Sequence, residues 1–254
     1  MTTNHIQIHR DGPVLELIIN RPETKNALTL AMYESLVKGL EEADQNDAIR
    51  VVLIRGAGGN FTSGNDLKDF MQDPPMDQSS PVFRFLTALL GARKPILAAV
   101  DGFAIGIGTT MLLHCDLVYA TTTARFQLPF INLAVVPEAA SSLLLPRMMG
   151  HQRAAELLFF GDGFGSEKAQ ELGFLNGIVA PEELEAAVRT RALKLAEKPP
   201  AALLETKKLL KRAPTDEIAE AMRFEAAIFA ERLGSPEFAE AVSAFFEKRK
   251  PNFD

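Results

Sequence analysis

Phe61-Thr62-Ser63-Gly64-Asn65-Asp66-Leu67 and Asp101-Gly102-Phe103-Ala104-Ile105-Gly106-Ile107-Gly108-Thr109-Thr110-Met111 are the two stretches that decide how this chain folds. Each follows a short apolar run, Arg50 to Arg55 before the first and Pro95 to Val100 before the second. Each then leads into a segment of helical character. Short apolar runs stopped by glycine read as buried strands. A strand that gives way to a helix leaves backbone N–H groups without intrahelical partners, at the positive end of the helix dipole. Such a junction suits a developing negative oxygen. Taken singly, either loop also reads as a plain tight turn.

The second loop is not a dinucleotide fingerprint. With Gly106 as the first glycine, Met111 stands where the third belongs, and no Walker lysine follows. Nicotinamide and nucleoside triphosphate chemistry are set aside on that ground.

Outward from the loops, strands alternate with helices. His5–His9 and Val14–Asn20 read as two strands joined by the turn Arg10-Asp11-Gly12-Pro13. Arg21 to Asn26 is a polar loop, and Thr29 is placed to cap a helix running to about Asp44. Short helical character follows at Leu67 to Met71, then helices over Pro81–Ala92 and Gly106–His114 and a strand over Asp116–Ala120. The alternation predicts an α/β fold with covered sheets. From about Glu138 onward the pattern is mostly helical, with starts at Ser166 and Pro181 and a break at Pro199-Pro200. Ala201–Arg212, Asp216–Leu233 and Pro236–Lys248 complete a helical C-terminal region without repeats or low-complexity linkers.

A chain of 254 residues suits one large domain, or a domain with a helical appendage. A formal net charge of -6 gives nucleic acid or an anionic membrane no general attraction, so neither is an expected partner. Cys115 is the only cysteine, which rules out an intrachain disulfide framework and fits a reducing compartment. Met1 to His5 does not read as a secretory signal, and Asp101, His114 and Asp116 interrupt the apolar stretches before membrane-spanning length. The final residues, Pro251 to Asp254, match no targeting tripeptide. The expectation is a soluble, cytoplasmic protein. His5, His9 and His151 lack ligand spacing, so no metal site is expected. Ser141 and Ser142 lack a glycine elbow, and His114 and Cys115 are neighbours whose side chains diverge on a helix.

As a pair, the two loops resemble the signature segments of the crotonase (enoyl-CoA hydratase/isomerase) superfamily. Asn20-Arg21-Pro22-Glu23-Thr24-Lys25-Asn26-Ala27-Leu28 is similar to the N-terminal CoA-binding loop of that family, and Phe126 to Glu138 and Gly161 to Asn176 follow its pattern too. The resemblance covers essentially the whole chain. It implies a crotonase-type spiral of ββα repeats with a helical C-terminal region. Residues 1–198 would form the α/β core with the CoA and acyl site, and residues 199–254 a helical region engaged in oligomer contacts. The implied substrate is an acyl-CoA thioester, handled without a metal or redox cofactor, since coenzyme A is part of the substrate. The implied assembly is a homotrimer or a dimer of trimers.

By the same resemblance, the N–H groups of Asn65 and Ile107 hold the thioester oxygen, each such donor contributing about 3–4 kcal/mol to the transition state. Gly64, Gly106 and Gly108 allow close backbone approach to the acyl chain. Ser63, Asp66 and Leu67 belong to the same binding loop, and Lys25, Ala27 and Leu28 resemble contacts to CoA. Phe130 and Asn132 are placed against the acyl group. Several of these residues also have plainer readings. Lys25 reads as a solvated loop charge, Asn132 as a loop-fixing amide, and Asp66 as the cap of the short helix that follows it. Basic groups at Lys207, Lys208, Lys211 and Arg212, or at Lys248, Arg249 and Lys250, read as solvated faces or as CoA phosphate contacts from a neighbouring subunit.

Hydratases of the family resemble one another in using two glutamates to activate water and deliver a proton. This chain has Thr110 and Phe130 at the corresponding positions, and neither titrates. Glu138 stands instead in Pro137-Glu138-Ala139-Ala140-Ser141-Ser142, which resembles a segment of the peroxisomal-type Δ3,Δ2-enoyl-CoA isomerases. In those enzymes the glutamate moves a proton from C2 to C4 of a 3-enoyl-CoA. A 1,3-proton shift starts and ends in the same protonation state, so one carboxylate suffices. The apolar residues Phe130, Leu133, Val135 and Val136 are placed to raise its pKa. The plainer reading of Glu138 is an acidic cap on a helix beginning near Ala139. The rivals to isomerisation of 3-enoyl-CoA are another crotonase reaction (hydration, dienoyl-CoA or ring isomerisation) and a non-catalytic CoA-binding role.

Overall fold

The computed structural model describes residues 5–72, 74, 79–212 and 215–253. Residues 1–4 and 254, read above for targeting signals, lie outside them. Two sheets carry the nine strands found among the described residues. The larger joins β1 (Ile6–Asp11), β2 (Val14–Ile19), β3 (Val51–Gly56), β4 (Ile96–Val100), β6 (Leu117–Thr121) and β9 (Gly177–Val179) in that order. The smaller joins β5 (Phe103–Ile105), β7 (Arg125–Gln127) and β8 (Phe164–Gly165). β1 and β2 form the antiparallel hairpin that the turn at Gly12 predicts, and β2, β3, β4, β6 and β9 run parallel.

Parallel strands need crossovers, and helices supply them. These are α1 (Leu30–Gln45), α2 (Leu67–Gln72), α3 (Pro81–Gly91), the single turn α4 (Ile107–Thr110), α5 (Ser141–Met149), α6 (His151–Phe160) and α7 (Ser166–Glu171). After the last strand come α8 (Leu184–Ala196), α9 (Pro200–Lys211), α10 (Thr215–Leu233) and α11 (Pro236–Glu247). Both faces of the large sheet are covered, so its central strands are apolar on both sides. Alternate residues divide between two cores. Leu15, Leu17, Val52, Ile54 and Ala98 pack with Tyr33, Leu36 and Leu40 of α1. Val14, Val51, Leu53, Leu97 and Ala99 face Leu184, Val188 and Ala192 of α8. This is the α/β architecture with covered sheets and a helical C-terminal region that the sequence predicts.

The differences from expectation are local. β5, β7, β8 and β9 were not legible, because two or three residues cannot display a period and their partners lie far away in the chain. The helix expected over 106–114 is α4 followed by a tighter 3-10 turn, Met111–His114. Thr29 occupies the N-cap of α1, but its side chain makes no cap bond; Asp69 Oδ2 accepts from the Leu30 N–H instead, at 2.7 Å. The C-terminal helices are present and pack on their own core, α10 against α3 and α5, and α11 against the Ile131–Leu133 turn. Among the described residues no helix is long and apolar enough to cross a membrane.

Candidate active site

The two glycine-bearing loops meet. Thr62 pairs with Ala104, and Leu28 pairs with Asn65, as isolated parallel bridges. The Ile105 N–H donates to Thr62 O at 3.0 Å, while Leu28 accepts from the Asp66 N–H and donates to Gly64 O, both at 2.8 Å. Close approach requires glycine at two points. A Cβ on Gly64, whose φ is +93°, would stand 2.9 Å from Ile105 O, and one on Gly108 would stand 2.6 Å from Thr62 Cγ2. With the loops in this register, the Asn65 and Ile107 N–H groups have no acceptor among the described residues. Both residues line one cleft of about 700 Å³.

Ala27, Ser63, Gly64, Asp66, Leu67, Gly106, Phe130 and Asn132 line the same cleft, as does Arg21. Three other expected site residues do not. Lys25 places its Nζ 4.5 Å from the centre of the Phe103 ring, Leu28 is buried core, and Gly108 serves the contact with Thr62. Asn132 donates to Gly161 O at 3.2 Å, so it both faces the cleft and fixes a loop. Asp66 caps α2 through Oδ1, which accepts from the N–H groups of Lys68 and Asp69, and its Oδ2 accepts from Arg21 at 2.6 Å. Partial burial pushes its carboxyl up, but Arg21 and the two N–H groups outweigh that and hold it below the usual range. Asp66 is a poor base.

Glu138 is buried, 8% exposed. It lines a second cavity of about 240 Å³, and Phe70 and Phe229 border both this cavity and the cleft. Those two rings meet edge-to-face with centres 6.2 Å apart. Burial raises the Glu138 carboxyl to about 8; the charge of Glu225 adds to the rise, and a 3.5 Å hydrogen bond from the Thr110 hydroxyl opposes it. A carboxyl in that range exchanges protons near neutrality. The helix-capping role falls elsewhere: α5 begins at Ser141, and the Ala140 and Ser142 N–H groups donate to Glu225.

Tyr33, from α1, was not legible as a site residue. Its hydroxyl donates to Asn65 Oδ1, which ties the first loop to the helix behind it. Burial raises its pKa well above the ordinary value, and the charge of Glu138 raises it further, so it stays a donor. A core tyrosine gives no sequence signal of this kind.

A family model described as enoyl-CoA hydratase/isomerase matches residues 9–254. The chain belongs to that family. This crotonase-superfamily chain is 34% identical over 254 residues to 1,2-epoxyphenylacetyl-CoA isomerase of Escherichia coli (strain K12), covering 96% of both chains. It is 31% identical to enoyl-CoA delta isomerase 2 of Rattus norvegicus over 97% of its own length, and spans 64% of that relative. The crystal structure of an enoyl-CoA hydratase/isomerase from Pseudoalteromonas atlantica T6c superposes with a TM-score of 0.94 at 42% identity, covering 98% of this chain and 100% of the other. The family places the protein among enzymes of enoyl-CoA thioesters.

Proposed function

We propose that this family member isomerises 3-enoyl-CoA to trans-2-enoyl-CoA, with Glu138 as the single base. The observation that carries the reading is the buried Glu138 carboxyl with its pKa raised to about 8, while Thr110 and Phe130 stand where hydratases carry theirs. The thioester oxygen lies between the Asn65 and Ile107 N–H groups. Those donors stabilise the dienolate that forms when Glu138 takes a proton from C2. The double bond moves from C3–C4 to C2–C3 as Glu138 returns the proton to C4, and it ends the cycle ionised. No water is consumed, and the apolar surround of Glu138 keeps water from competing. Arg21 and Asp66 hold the binding loop, while Lys25 lies outside the cleft lining. The proposed assembly is a homotrimer or a dimer of trimers. A second reading, rearrangement of an epoxide-bearing acyl-CoA by the same base, draws on the 34% identity to the epoxyphenylacetyl-CoA isomerase over nearly both lengths.

The test follows 3-hexenoyl-CoA with the purified protein and with Glu138→Gln. The variant is expected to lose roughly 10²–10⁴-fold in kcat, the usual contribution of a positioned acid–base group. Equal rates would remove Glu138 from the chemistry. Absence of turnover by the unmodified enzyme would favour the second reading, and a parallel assay of water addition to crotonyl-CoA separates isomerase from hydratase.

A further inference from the structure

Glu225 lies on α10, far along the chain from the site, yet it is buried and takes three hydrogen bonds from the residues after Glu138. Oε2 accepts from the Ala140 N–H at 2.6 Å; Oε1 accepts from the Ser142 N–H at 2.9 Å and from the Ser142 hydroxyl. The N–H groups at the start of a helix lack intrahelical partners, so this side chain caps α5 from outside.

The segment it grips is strained. Ala139 and Ala140 are both left-handed, with φ of +60° and +55°. A non-glycine residue there costs about 1–2 kcal/mol and persists only where neighbours hold it. They do so from three sides. Glu225 holds the Ala140 N–H, and His114 Nε2 lies 2.8 Å from Ala139 O. The Glu138 carbonyl accepts from the Ser141 N–H and hydroxyl at 3.0 and 2.6 Å. A carbonyl only accepts, so His114 carries its proton on Nε2. Burial lowers the His114 pKa to about 4, so the ring stays neutral and keeps that bond. The two peptides that follow Glu138 are pinned, and its side chain meets the Thr110 hydroxyl and lines the cavity it shares with Glu225.

We propose that Glu225 is a positioning residue for Glu138, clamping the left-handed Ala139–Ala140 turn through which the base is presented to the substrate. The proposal rests on the reading of Glu138 as the base. Burial raises both carboxyls facing this cavity, and they are told apart by their donors. Glu225 has three that oppose the rise and Glu138 one long one, so Glu225 is the group that carries the charge, and that charge holds the proton on Glu138. Other polar groups near Glu138 are Thr110, the Tyr33 hydroxyl of α1, neutral His114, and Ser80 and Arg223, which border the same cavity.

The full-length protein is compared with Glu225→Gln and Glu225→Ala, measuring kcat and KM for 3-hexenoyl-CoA from about pH 5 to about pH 10. Glu225→Gln keeps the shape but one acceptor fewer. It is expected to lose roughly tenfold in kcat with KM nearly unchanged, and Glu225→Ala about 100-fold, the scale of a misplaced catalytic group. The acid limb of kcat/KM moves to lower pH in both. A simple helix cap predicts lower stability with kcat and the acid limb unmoved, and that result overturns the proposal. A second readout needs no turnover: the infrared C=O stretch of protonated Glu138, assigned by its loss in Glu138→Gln. In the Glu225 variants the band shifts and titrates at lower pH; a band unchanged in position and midpoint overturns the proposal. If the unmodified enzyme leaves 3-hexenoyl-CoA untouched, the isomerase reading fails, and the infrared titration still decides the role of Glu225.

Discussion

In the proposed reaction, Glu138 and Asn65 depend on residues that touch no substrate. Tyr33 is the sharpest example, since its buried hydroxyl ends on Asn65 Oδ1 and holds the residue whose N–H faces the cleft. Tyr33→Phe keeps the ring and its 5.4 Å contact with Phe85 but strands the amide oxygen. The net worth of one such hydrogen bond is about 0.5–1.5 kcal/mol. The expected outcome is a loss of about 1 kcal/mol in urea unfolding and a roughly tenfold fall in kcat, as the loop loses its tether. A fall in stability with kcat unchanged would limit Tyr33 to the core.

At the scale of elements, the site is made where two strand-to-helix junctions press together. Gly64 and Gly108 set that distance, so an added methyl acts on the chemistry more than on the core. Gly64→Ala meets a backbone carbonyl and a left-handed φ, a strain of about 1–3 kcal/mol. The loops must separate, and kcat/KM is expected to fall by about 100-fold, well beyond the loss of stability. Urea unfolding beside steady-state rates checks the ratio. The C-terminal helices belong to this scale too. α10 delivers Glu225 and Phe229, and α11 supplies Phe238 and Phe245 to the cleft. These helices therefore build the site of their own chain.

For the whole molecule, burying Glu138 costs stability in a pH-dependent way. An unfolded chain ionises this carboxyl near the ordinary glutamate value of 4.5, whereas the folded protein keeps the proton to about 8. Between those values the unfolded state has released a proton that the folded state retains, so stability falls as pH rises through this window. Glu138→Gln removes the effect. It is expected to be as stable as the parent below about pH 4 and more stable by on the order of 3 kcal/mol above pH 8. Thermal unfolding across that range checks the sign, and curves that stay parallel would contradict the buried, proton-holding state of Glu138.

Much of the architecture was legible in short-range pattern. The hairpin at Gly12, the apolar runs of β3 and β4 and the glycines beside Asn65 and Ile107 follow from period, turn chemistry and spacing, which are local properties of the chain. Family resemblance added the meaning of Glu138, Thr110 and Phe130 as positions. Other features were decided only in three dimensions. Glu225 reaches Ala140 from 85 residues away, Tyr33 reaches Asn65 across 32, and β7 pairs with β5 and β8 through two or three residues each. No local period carries such contacts. Charge and hydrogen bonding depend on distance in space, so the loops proposed to hold an oxygen could be read along the chain, while the pair of carboxylates emerged only when α10 packed against α5.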